Sequence, residues 1–361
     1  MTLRVALVGG PMYDHLYTLL QHADVGADIE VVVHADHPTL NREVAARLEA
    51  GERLDLISTH SKYAPSQARW LRPLDGLVDT ASLAPLAVDL CRFDGRQLCV
   101  PRLIDVRIMW LRSDRITNPP DTWQHLVEQG VRFGFPGRES GLFGTFFELV
   151  VGAGGRLFDD SGHPTIDSPE AVAAVQTLST LAAEAPADLP DWHYDQVDAA
   201  LLSGRVDAAG VWPGGWGPIR DSALAAVLQP HPYPGGPHRR VSYAGCHAWA
   251  VPTTCGDLPA ALRLLEVLNG ERAHALDAAG GSVCAHEAAF AAVRPANGTD
   301  RERLRITTDT IATAMITYPP HPRFPELEDA GWAAINDALR GRCSAEQAVA
   351  AVQATAERVL R

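Results

Sequence analysis

The chain has 361 residues, which is more than one hydrophobic core usually organises, so two lobes or domains are expected. Hydrophobic residues make up 46% and charged residues 21%, which is typical of a soluble globular protein, and no apolar run approaches the roughly 18 residues that cross a bilayer. The formal net charge of −13 argues against a nucleic-acid partner, because a phosphate-binding surface needs clustered Lys and Arg.

Short β-branched runs and helix-like segments alternate in the first part of the chain. This pattern predicts strands at 3–8, 28–34 and 54–58, and helices at 13–22 and 41–50. Strands that alternate with helices are typical of an α/β fold with a parallel sheet. Ligands of such sheets bind beyond the carboxyl ends of the strands, which directs attention to the loops at 9–14 and 58–63. Gly9-Gly10-Pro11 lacks the Gly-x-Gly-x-x-Gly fingerprint of a dinucleotide site.

The remainder of the chain predicts a hairpin and an extended stretch over 92–112, followed by further helices and strands. The strands are expected at 132–136, 206–212, 225–228 and 243–251. One helix is expected after Pro120, with Thr122 or Asp121 able to cap it. The other helices are expected at 143–153, 169–184, 195–203, 258–268, 274–278, 285–290, 308–317, 325–339 and 344–360.

The six cysteines form neither a CxxC pair nor a metal-ligand spacing. Cys91 and Cys99 flank the predicted hairpin, whose loop has two alternatives. A three-residue loop, Asp94 to Arg96, would place the two cysteines directly opposite each other, whereas a two-residue Asp-Gly loop would put them on different faces. We favour buried, unpaired thiols, since free cysteine is among the most buried residue types.

The stretch 92–126 contains several short motifs in a fixed order. They are Asp94-Gly95-Arg96 in the hairpin, Val100-Pro101, an apolar strand that ends in Trp110-Leu111, and Pro119-Pro120-Asp121-Thr122-Trp123 at a helix start. The series resembles that of the family 1 extracellular solute-binding proteins of ABC importers, the maltose-binding-protein-like sugar-binding proteins. Leu111-Arg112 stands where the family usually has Tyr-Asn, which is a mild departure.

The resemblance continues over nearly the whole chain. Similar motifs begin at Gly154-Gly155, at Leu202-Ser203-Gly204 with the following Trp212-Pro213-Gly214-Gly215-Trp216, at Tyr243-Ala244-Gly245, and at Gly341-Arg342. Each motif alone is weak, but their shared order and spacing are specific to the family.

The resemblance implies a type II periplasmic-binding fold, in which a multi-strand hinge joins two α/β lobes and the ligand cleft lies between them. By position, the N-terminal lobe takes 1–105 and 252–293, the C-terminal lobe takes 110–248 and 309–361, and the hinge crossovers take 106–109, 249–251 and 294–308. The implied function is the substrate-binding component of an ABC importer. It would close its lobes on a small sugar, polyol or sugar acid and deliver it to permease subunits as a monomer.

The family implies a location outside the cytoplasm, in the periplasm or anchored at the cell surface. The N-terminus, MTLRVALVGG, is too short and too strand-like for a signal peptide, so a cytoplasmic location stays open. A cytoplasmic ligand sensor and an enzyme evolved on the same fold are the alternatives. No GxSxG, HExxH or Walker loop occurs, and neither a cofactor nor a metal is predicted, although His231 and His238 bracket a Pro/Gly loop.

A sugar site needs aromatic faces for the ring and charged or amide groups for paired hydrogen bonds to hydroxyls. The strand-end rule and the resemblance together select the candidates. In the first lobe these are Met12, Tyr13, Asp14, His60, Lys62 and Tyr63; on the first crossover Asp105 and Arg107; in the second lobe Glu139, Phe143, Trp212, Trp216, Tyr243 and Arg323.

Each candidate also has an ordinary structural explanation. Asp14 could cap the helix that it precedes, and either tryptophan could simply pack into its lobe. Asp105, Arg102 and Arg107 could form a hinge ion pair. The set contains fewer aromatic residues and more Arg than a maltodextrin site would need. This composition favours a compact ligand of one or two rings or a polyol, with an acid group as an option.

Overall fold

The computed structural model describes residues 2–10 and 12–360, and Pro11 of the first predicted ligand loop lies outside the described residues. The chain divides into two compact units. Unit 1 consists of Met1–Asp105, Gly245–Arg294 and Pro320–Pro322; unit 2 consists of Val106–Ala244, Pro295–Pro319 and Arg323–Arg361. The lobe and hinge bounds given above stay a prediction.

The elements follow one another in a mixed order of strands and helices. The strands are β1 (Thr2–Val8), β2 (Asp28–Ala35), β3 (Leu56–His60), β4 (Arg92–Phe93), β5 (Arg96–Gln97), β6 (Val100–Val106), β7 (Ile108–Arg112), β8 (Phe133–Gly134), β9 (Ala208–Val211), β10 (Leu228–His231), β11 (Ser242–Ala250), β12 (Val283–Cys284) and β13 (Met315–Ile316).

The helices are α1 (His37–Glu49), α2 (Ala64–Gln67), α3 (Pro85–Leu90), α4 (Trp123–Glu128), α5 (Glu139–Gly152), α6 (Pro169–Glu184), α7 (Tyr194–Leu202), α8 (Trp216–Arg220), α9 (Leu258–Asn269), α10 (Glu271–Ala279), α11 (Glu287–Ala291), α12 (Gly298–Thr313), α13 (Phe324–Leu339) and α14 (Ala345–Val359). Short 3-10 segments cover Asp14–His22, Ala68–Trp70, Leu189–Asp191 and Pro213–Gly215. None of the helices in the described ranges combines the length and hydropathy that crossing a lipid bilayer requires.

Unit 1 is built on a sheet of strand order β12-β6-β11-β3-β1-β2. β1 lies parallel to both β2 and β3, whereas β11 runs antiparallel to β3. The predicted alternation of strands and helices at the start of the chain is therefore confirmed. Because β1, β2 and β3 are parallel, their carboxyl ends meet at one edge of the sheet, which is where ligands of such sheets bind.

Unit 2 contains a second sheet of order β10-β7-β9-β8, and β13 pairs with the first residues of β11. Helices α5, α6, α13 and α14 pack around its apolar core. Twelve of the 14 residues of α5 are buried, which explains why its sequence is apolar on every face. The core of this unit is rich in aromatic side chains, among them Phe133, Phe146 and Phe324.

Several predicted element bounds are wrong. The strand expected at 225–228 lies at Leu228–His231, where Pro230 is tolerated because β10 is an edge strand. The segment 13–22 is helical but has 3-10 geometry over Asp14–His22. α12 begins at Gly298, ten positions before the predicted start, because the Asn297 side chain accepts the N–H of Asp300 as an N-cap.

The hairpin of β4 and β5 decides between the two cysteine alternatives. Phe93 pairs with Arg96, so the loop consists of Asp94 and Gly95, which have φ of 53° and 74°. Two consecutive residues with positive φ make the type I′ turn that suits a two-residue hairpin. Cys91 and Cys99 are consequently not cross-strand partners. All six cysteines of the described chain carry free thiols, as predicted, but only four of them are buried, because Cys255 and Cys343 are partly exposed.

Candidate ligand-binding site

Three histidines of unit 1 come together at the carboxyl ends of its strands. His60 is the last residue of β3, and His247 stands directly opposite it on β11. His37 is the first residue of α1, which follows β2. The helix starts there because the Asp36 side chain accepts the N–H of Thr39 and Pro38 occupies the first turn.

His247 is the centre of this group. Its Nδ1 lies 2.6 Å from Nε2 of His37, and its Nε2 lies 3.2 Å from the hydroxyl oxygen of Tyr13. The carboxylate of Asp105, on β6, also contacts Nε2 of His247. We call His37, His60, Asp105 and His247 the histidine cluster. Asp105, His60 and His247 are at most 8% exposed, so these polar groups meet in a largely dry environment.

The buried position of the cluster controls the charge of two of its histidines. Burial lowers the pKa of both His37 and His60 well below the usual 6.5, and the neighbouring His247 lowers each of them further. Both imidazoles are therefore neutral at pH 7. A neutral imidazole has one nitrogen that donates and one that accepts, which suits it to the hydroxyl groups of a ligand.

Gly245 makes room for the ring of His60. A Cβ at this position would lie 1.9 Å from Cε1 of His60, far inside van der Waals contact. The lack of a side chain at Gly245 therefore lets the imidazole lie against the β11 backbone. This gives the Tyr243-Ala244-Gly245 motif of the sequence a structural reason.

A buried ion pair of Arg102 and Asp277 contacts the backbone of Tyr13. Arg102 donates from Nε and Nη2 to the Asp277 carboxylate at 2.9 and 2.8 Å, and from Nη2 to the carbonyl oxygen of Tyr13 at 3.4 Å. His15 lies 2.9 Å from the same carboxylate. Although burial raises the pKa of Asp277, the hydrogen bonds from Arg102 and His15 outweigh it and leave that pKa lowered. The carboxylate is thus charged at neutral pH and holds the Arg102 guanidinium under Tyr13.

The other predicted residues of unit 1 lie around the cluster rather than in it. Asp14 is exposed and accepts the N–H of Gly10 at 3.1 Å, with His34 Nε2 at 2.8 Å. The ammonium of Lys62 lies 4.8 Å from the ring centroid of Tyr63, which is itself buried. Met12 is half-buried. Their predicted contact with a ligand stays a prediction.

Unit 2 has an aromatic group of its own. The ring centroids of Tyr243 and Tyr318 are 4.3 Å apart, and Trp212 lies 6.2 Å from Tyr243 and 5.9 Å from Tyr194. Trp212 is only partly buried, so part of its ring is accessible. Tyr243 and Tyr318 are themselves buried. Trp212 and Tyr243 were selected from the sequence, and their contact with a ligand stays a prediction.

Arg107 is buried within unit 2. It pairs with the carboxylate of Glu148 and donates to the Thr145 hydroxyl at 3.2 Å. Its guanidinium lies 5.3 Å from the ring centroid of Trp212. Within unit 1, Arg102 pairs with Asp277 and Asp105 contacts His247, whereas Arg107 has its carboxylate partner, Glu148, within unit 2.

The remaining candidates of unit 2 differ in their surroundings. Trp216 is 6% exposed and stacks on Trp110 with ring centroids 5.7 Å apart, while the Arg303 guanidinium lies 4.9 Å from its ring. Phe143 is fully buried in the core. Arg323 is half-exposed and pairs with Glu326. Glu139 has a φ of 55°, a strained backbone of the kind that collects at ligand sites.

Sequence reasoning missed His37 and His247. His37 was missed because the helix was predicted to begin at Asn41 instead of His37. His247 lies within the strand predicted at 243–251, and nothing in that stretch of sequence indicates its partner. The pairing of β11 with β3, which the sequence does not show, is what reveals His247. Residues of a strand alternate between two faces, so a polar residue paired with His60 at the strand end faces the same way as His60.

The whole chain is similar to solved solute-binding proteins. The maltose-bound MalE3 of T. maritima matches 99% of this chain and 100% of its own, with a TM-score of 0.88 and 21% identity. A solute-binding protein of an ABC transporter from Agrobacterium radiobacter, in complex with ribitol, matches 99% and 98% of the two chains, with a TM-score of 0.87 and 18% identity. At this level of identity the likeness shows the fold: the protein has the type II periplasmic-binding fold, as predicted.

A family model settles the relationship further. The chain belongs to the bacterial extracellular solute-binding protein family, whose model matches residues 21–275. Among curated proteins, the maltotriose-binding protein of Pyrococcus abyssi is 24% identical in an alignment of 219 residues that covers 57% of this chain. The match spans only about half of that relative, 47% of its length.

Proposed function

We propose that the protein is the binding component of an ABC importer that captures a small sugar, polyol or sugar acid by closing its two lobes and delivers it to permease subunits. The observation that carries the proposal is the histidine cluster with Tyr13 at the carboxyl ends of the unit 1 strands. That edge is where an α/β sheet binds ligands. Buried donors and acceptors placed there suit the hydroxyl groups of a polyhydroxylated molecule.

The chemistry of both units supports this ligand class. Unit 1 offers a carboxylate and neutral imidazoles, and unit 2 offers the accessible part of Trp212 beside Tyr243. Charged groups bind hydroxyls strongly, and aromatic faces cover the C–H surface of a sugar ring. The named relatives bind maltotriose, maltose and ribitol, which belong to the same class.

The small number of accessible aromatic side chains favours a compact ligand. Of the two predicted tryptophans, Trp216 is in contact with Trp110 and Arg303, whereas Trp212 is only partly buried. A long oligosaccharide needs a row of stacking platforms, one for each ring. We therefore place one or two rings, or a linear polyol, in the site.

The same proposal includes a binding protein without catalytic activity that acts outside the cytoplasm as a monomer. The family, bacterial extracellular solute-binding proteins, supports the binding role and the location. The histidine cluster does hold acid–base groups, so the absence of turnover is itself a testable part of the proposal. Incubation of the protein with its ligand should return the ligand chemically unchanged.

Calorimetry with a panel of monosaccharides, disaccharides, polyols and sugar acids tests the proposed function. All titrations are made in a chelating buffer, so that no metal contributes. Asp105→Asn should weaken binding of the best ligand about 10–100-fold, as expected for the loss of one charged hydrogen bond. Asp309→Asn, in an exposed ion pair with Arg305, is the matched control and should bind like the wild type. Equal affinities for the two variants would remove Asp105 from the site.

A further inference from the structure

Three residues of the histidine cluster have the arrangement of metal ligands. His60, Asp105 and His247 each offer one ligand atom, and these atoms all lie within 4.8 Å of one another. They come from β3, β6 and β11, which are neighbours in the unit 1 sheet. The sheet therefore fixes their backbones relative to one another without a ligand.

We propose that His60, Asp105 and His247 bind one divalent transition-metal ion, such as Zn²⁺. The inference goes beyond the proposed function and does not depend on it. Zinc binds imidazole nitrogen and carboxylate oxygen at about 2.0–2.2 Å, which sets its tetrahedral ligands roughly 3.4 Å apart. Ligand atoms within 4.8 Å of one another reach that spacing by small side-chain rotations. Two imidazoles and one carboxylate leave one coordination position open to a water or a ligand oxygen.

His37 is placed to hydrogen-bond the second ring nitrogen of the metal ligand His247. Metal-bound histidines usually donate their second N–H to a partner, which fixes the orientation of the ring. If His247 binds the ion through Nε2, the nitrogen beside Asp105, its Nδ1–H points at Nε2 of His37, 2.6 Å away. An unprotonated Nε2 of His37 can accept this hydrogen bond at that distance. His37 acts as a positioning residue and does not itself touch the ion.

His60 can bind the ion through Nε2 if it gives up one hydrogen bond. Its Nδ1 accepts the backbone N–H of Lys62 at 3.2 Å. Coordination through Nε2 places the ring proton on Nδ1, so this long hydrogen bond is given up when the ion binds. Gly245 allows the ring to approach, because a Cβ there would overlap with Cε1 and Nε2 of His60.

The size and hardness of the donors indicate which ions fit. Imidazole suits Zn²⁺, Ni²⁺, Co²⁺ and Cu²⁺, whereas Ca²⁺ and Mg²⁺ require sites built from oxygen. The cluster has one carboxylate among three imidazoles. It should therefore select transition metals over the alkaline-earth ions. The ligands come from positions 60, 105 and 247, which explains why no spacing motif in the sequence indicates a metal.

Titration of the chelator-stripped full chain with Zn²⁺ alone tests the proposal. We expect one ion per chain by calorimetry, and Co²⁺ should give the visible absorption of a tetrahedral site with bound imidazole. Ca²⁺ and Mg²⁺ should give no binding. His247→Gln and Asp105→Asn, which keep the size of the side chain, should each weaken Zn²⁺ binding at least 100-fold. His37→Gln should weaken it about 10–100-fold, as expected for a supporting residue.

The exposed His163 and His238 provide the matched control. The double variant His163→Gln/His238→Gln should bind Zn²⁺ like the wild type. The proposal is overturned if the wild type binds no stoichiometric ion, or if His247→Gln and the control variant bind equally well. Melting curves of the metal-free variants check that each is folded. Sugar binding in chelating buffer is measured separately, so failure of the metal site and failure of the proposed function are distinguishable.

Discussion

Arg102 donates two parallel hydrogen bonds to Asp277, from Nε at 2.9 Å and from Nη2 at 2.8 Å, and both side chains are buried. Asp277→Asn keeps the shape of the side chain but leaves the guanidinium of Arg102 without a counter-charge. Removal of one partner of a buried pair costs about 3–5 kcal/mol of unfolding free energy. Urea denaturation should show that loss.

The exposed pair of Arg305 and Glu302 is the control for this prediction. Glu302→Gln should change the unfolding free energy by at most about 1 kcal/mol, because solvent screens a surface pair. Equal losses for Glu302→Gln and Asp277→Asn would contradict the role given to the buried pair.

His274 makes the fold sensitive to mild acid. Burial lowers its pKa from 6.5 to about 4, although Asp277 acts in the opposite direction. The unfolded chain therefore takes up a proton at this histidine near pH 6.5, while the folded chain does so only near pH 4. The contribution of His274 to the unfolding free energy is constant above pH 6.5 and falls by about 3 kcal/mol as the pH drops from 6.5 to 4. His37 and His60, whose pKa values are also lowered, add to the decline.

Denaturation curves of His274→Gln over this pH range check the assignment. The decline of the variant between pH 6.5 and 4 should be about 3 kcal/mol smaller than that of the wild type, whereas His163→Gln, at an exposed position, should keep the full decline. A His274→Gln profile as steep as that of the wild type would show that other groups cause the acid sensitivity.

Gly245→Ala should damage the ligand site through His60. The added Cβ would lie 1.9 Å from Cε1 of that ring, so the imidazole must move away. We expect affinity for the best ligand to fall at least about tenfold, or 1.4 kcal/mol, by calorimetry. Gly298→Ala is the control, because a Cβ at Gly298 meets nothing within 4 Å. Unchanged affinity of the Gly245→Ala variant would show that His60 does not contribute to ligand binding.

We expect substitution of Trp216 to lower stability and substitution of Trp212 to lower ligand affinity. Trp216 is 6% exposed and stacked on Trp110, so Trp216→Ala should lower the unfolding free energy by about 3–5 kcal/mol through the cavity it leaves. Trp212 is partly buried, and Trp212→Ala should instead weaken ligand binding by about 1–3 kcal/mol. Denaturation and calorimetry on both variants measure the two effects. A loss of stability in Trp212→Ala together with a loss of affinity in Trp216→Ala would contradict these two roles.

The sequence predicts the architecture of unit 1 well because its signals are local. Short β-branched runs mark β1 and β2, and the family motifs place the hairpin and the crossover near 92–112. The start of α12 was missed because its first turns are strongly charged. In the structure Arg303 and Asp300 are buried there as an ion pair, so the polar residues lie on the inner side of the helix. A hydrophobic pattern cannot predict a buried face made of paired charges.

The candidate site was only partly predictable, because some of its residues come together through contacts between distant parts of the chain. Tyr13, His60 and Asp105 were found because strand ends and family position indicate them. His37 and His247 join the site through the pairing of β11 with β3 and through the start of α1, and neither is a local property of the sequence. The burial of Trp216 likewise depends on Trp110 and Arg303, which are distant along the chain.

A thermal-shift and calorimetric screen of the wild-type chain in chelating buffer tests the proposed function most directly. A ligand that binds only the folded state raises the melting temperature, by an amount that grows with its concentration over the dissociation constant. We expect at least one monosaccharide, disaccharide, polyol or sugar acid to raise the melting temperature and to bind with a stoichiometry of one ligand molecule per chain. Binding of long maltodextrins alone, or of nothing in the panel, would contradict it.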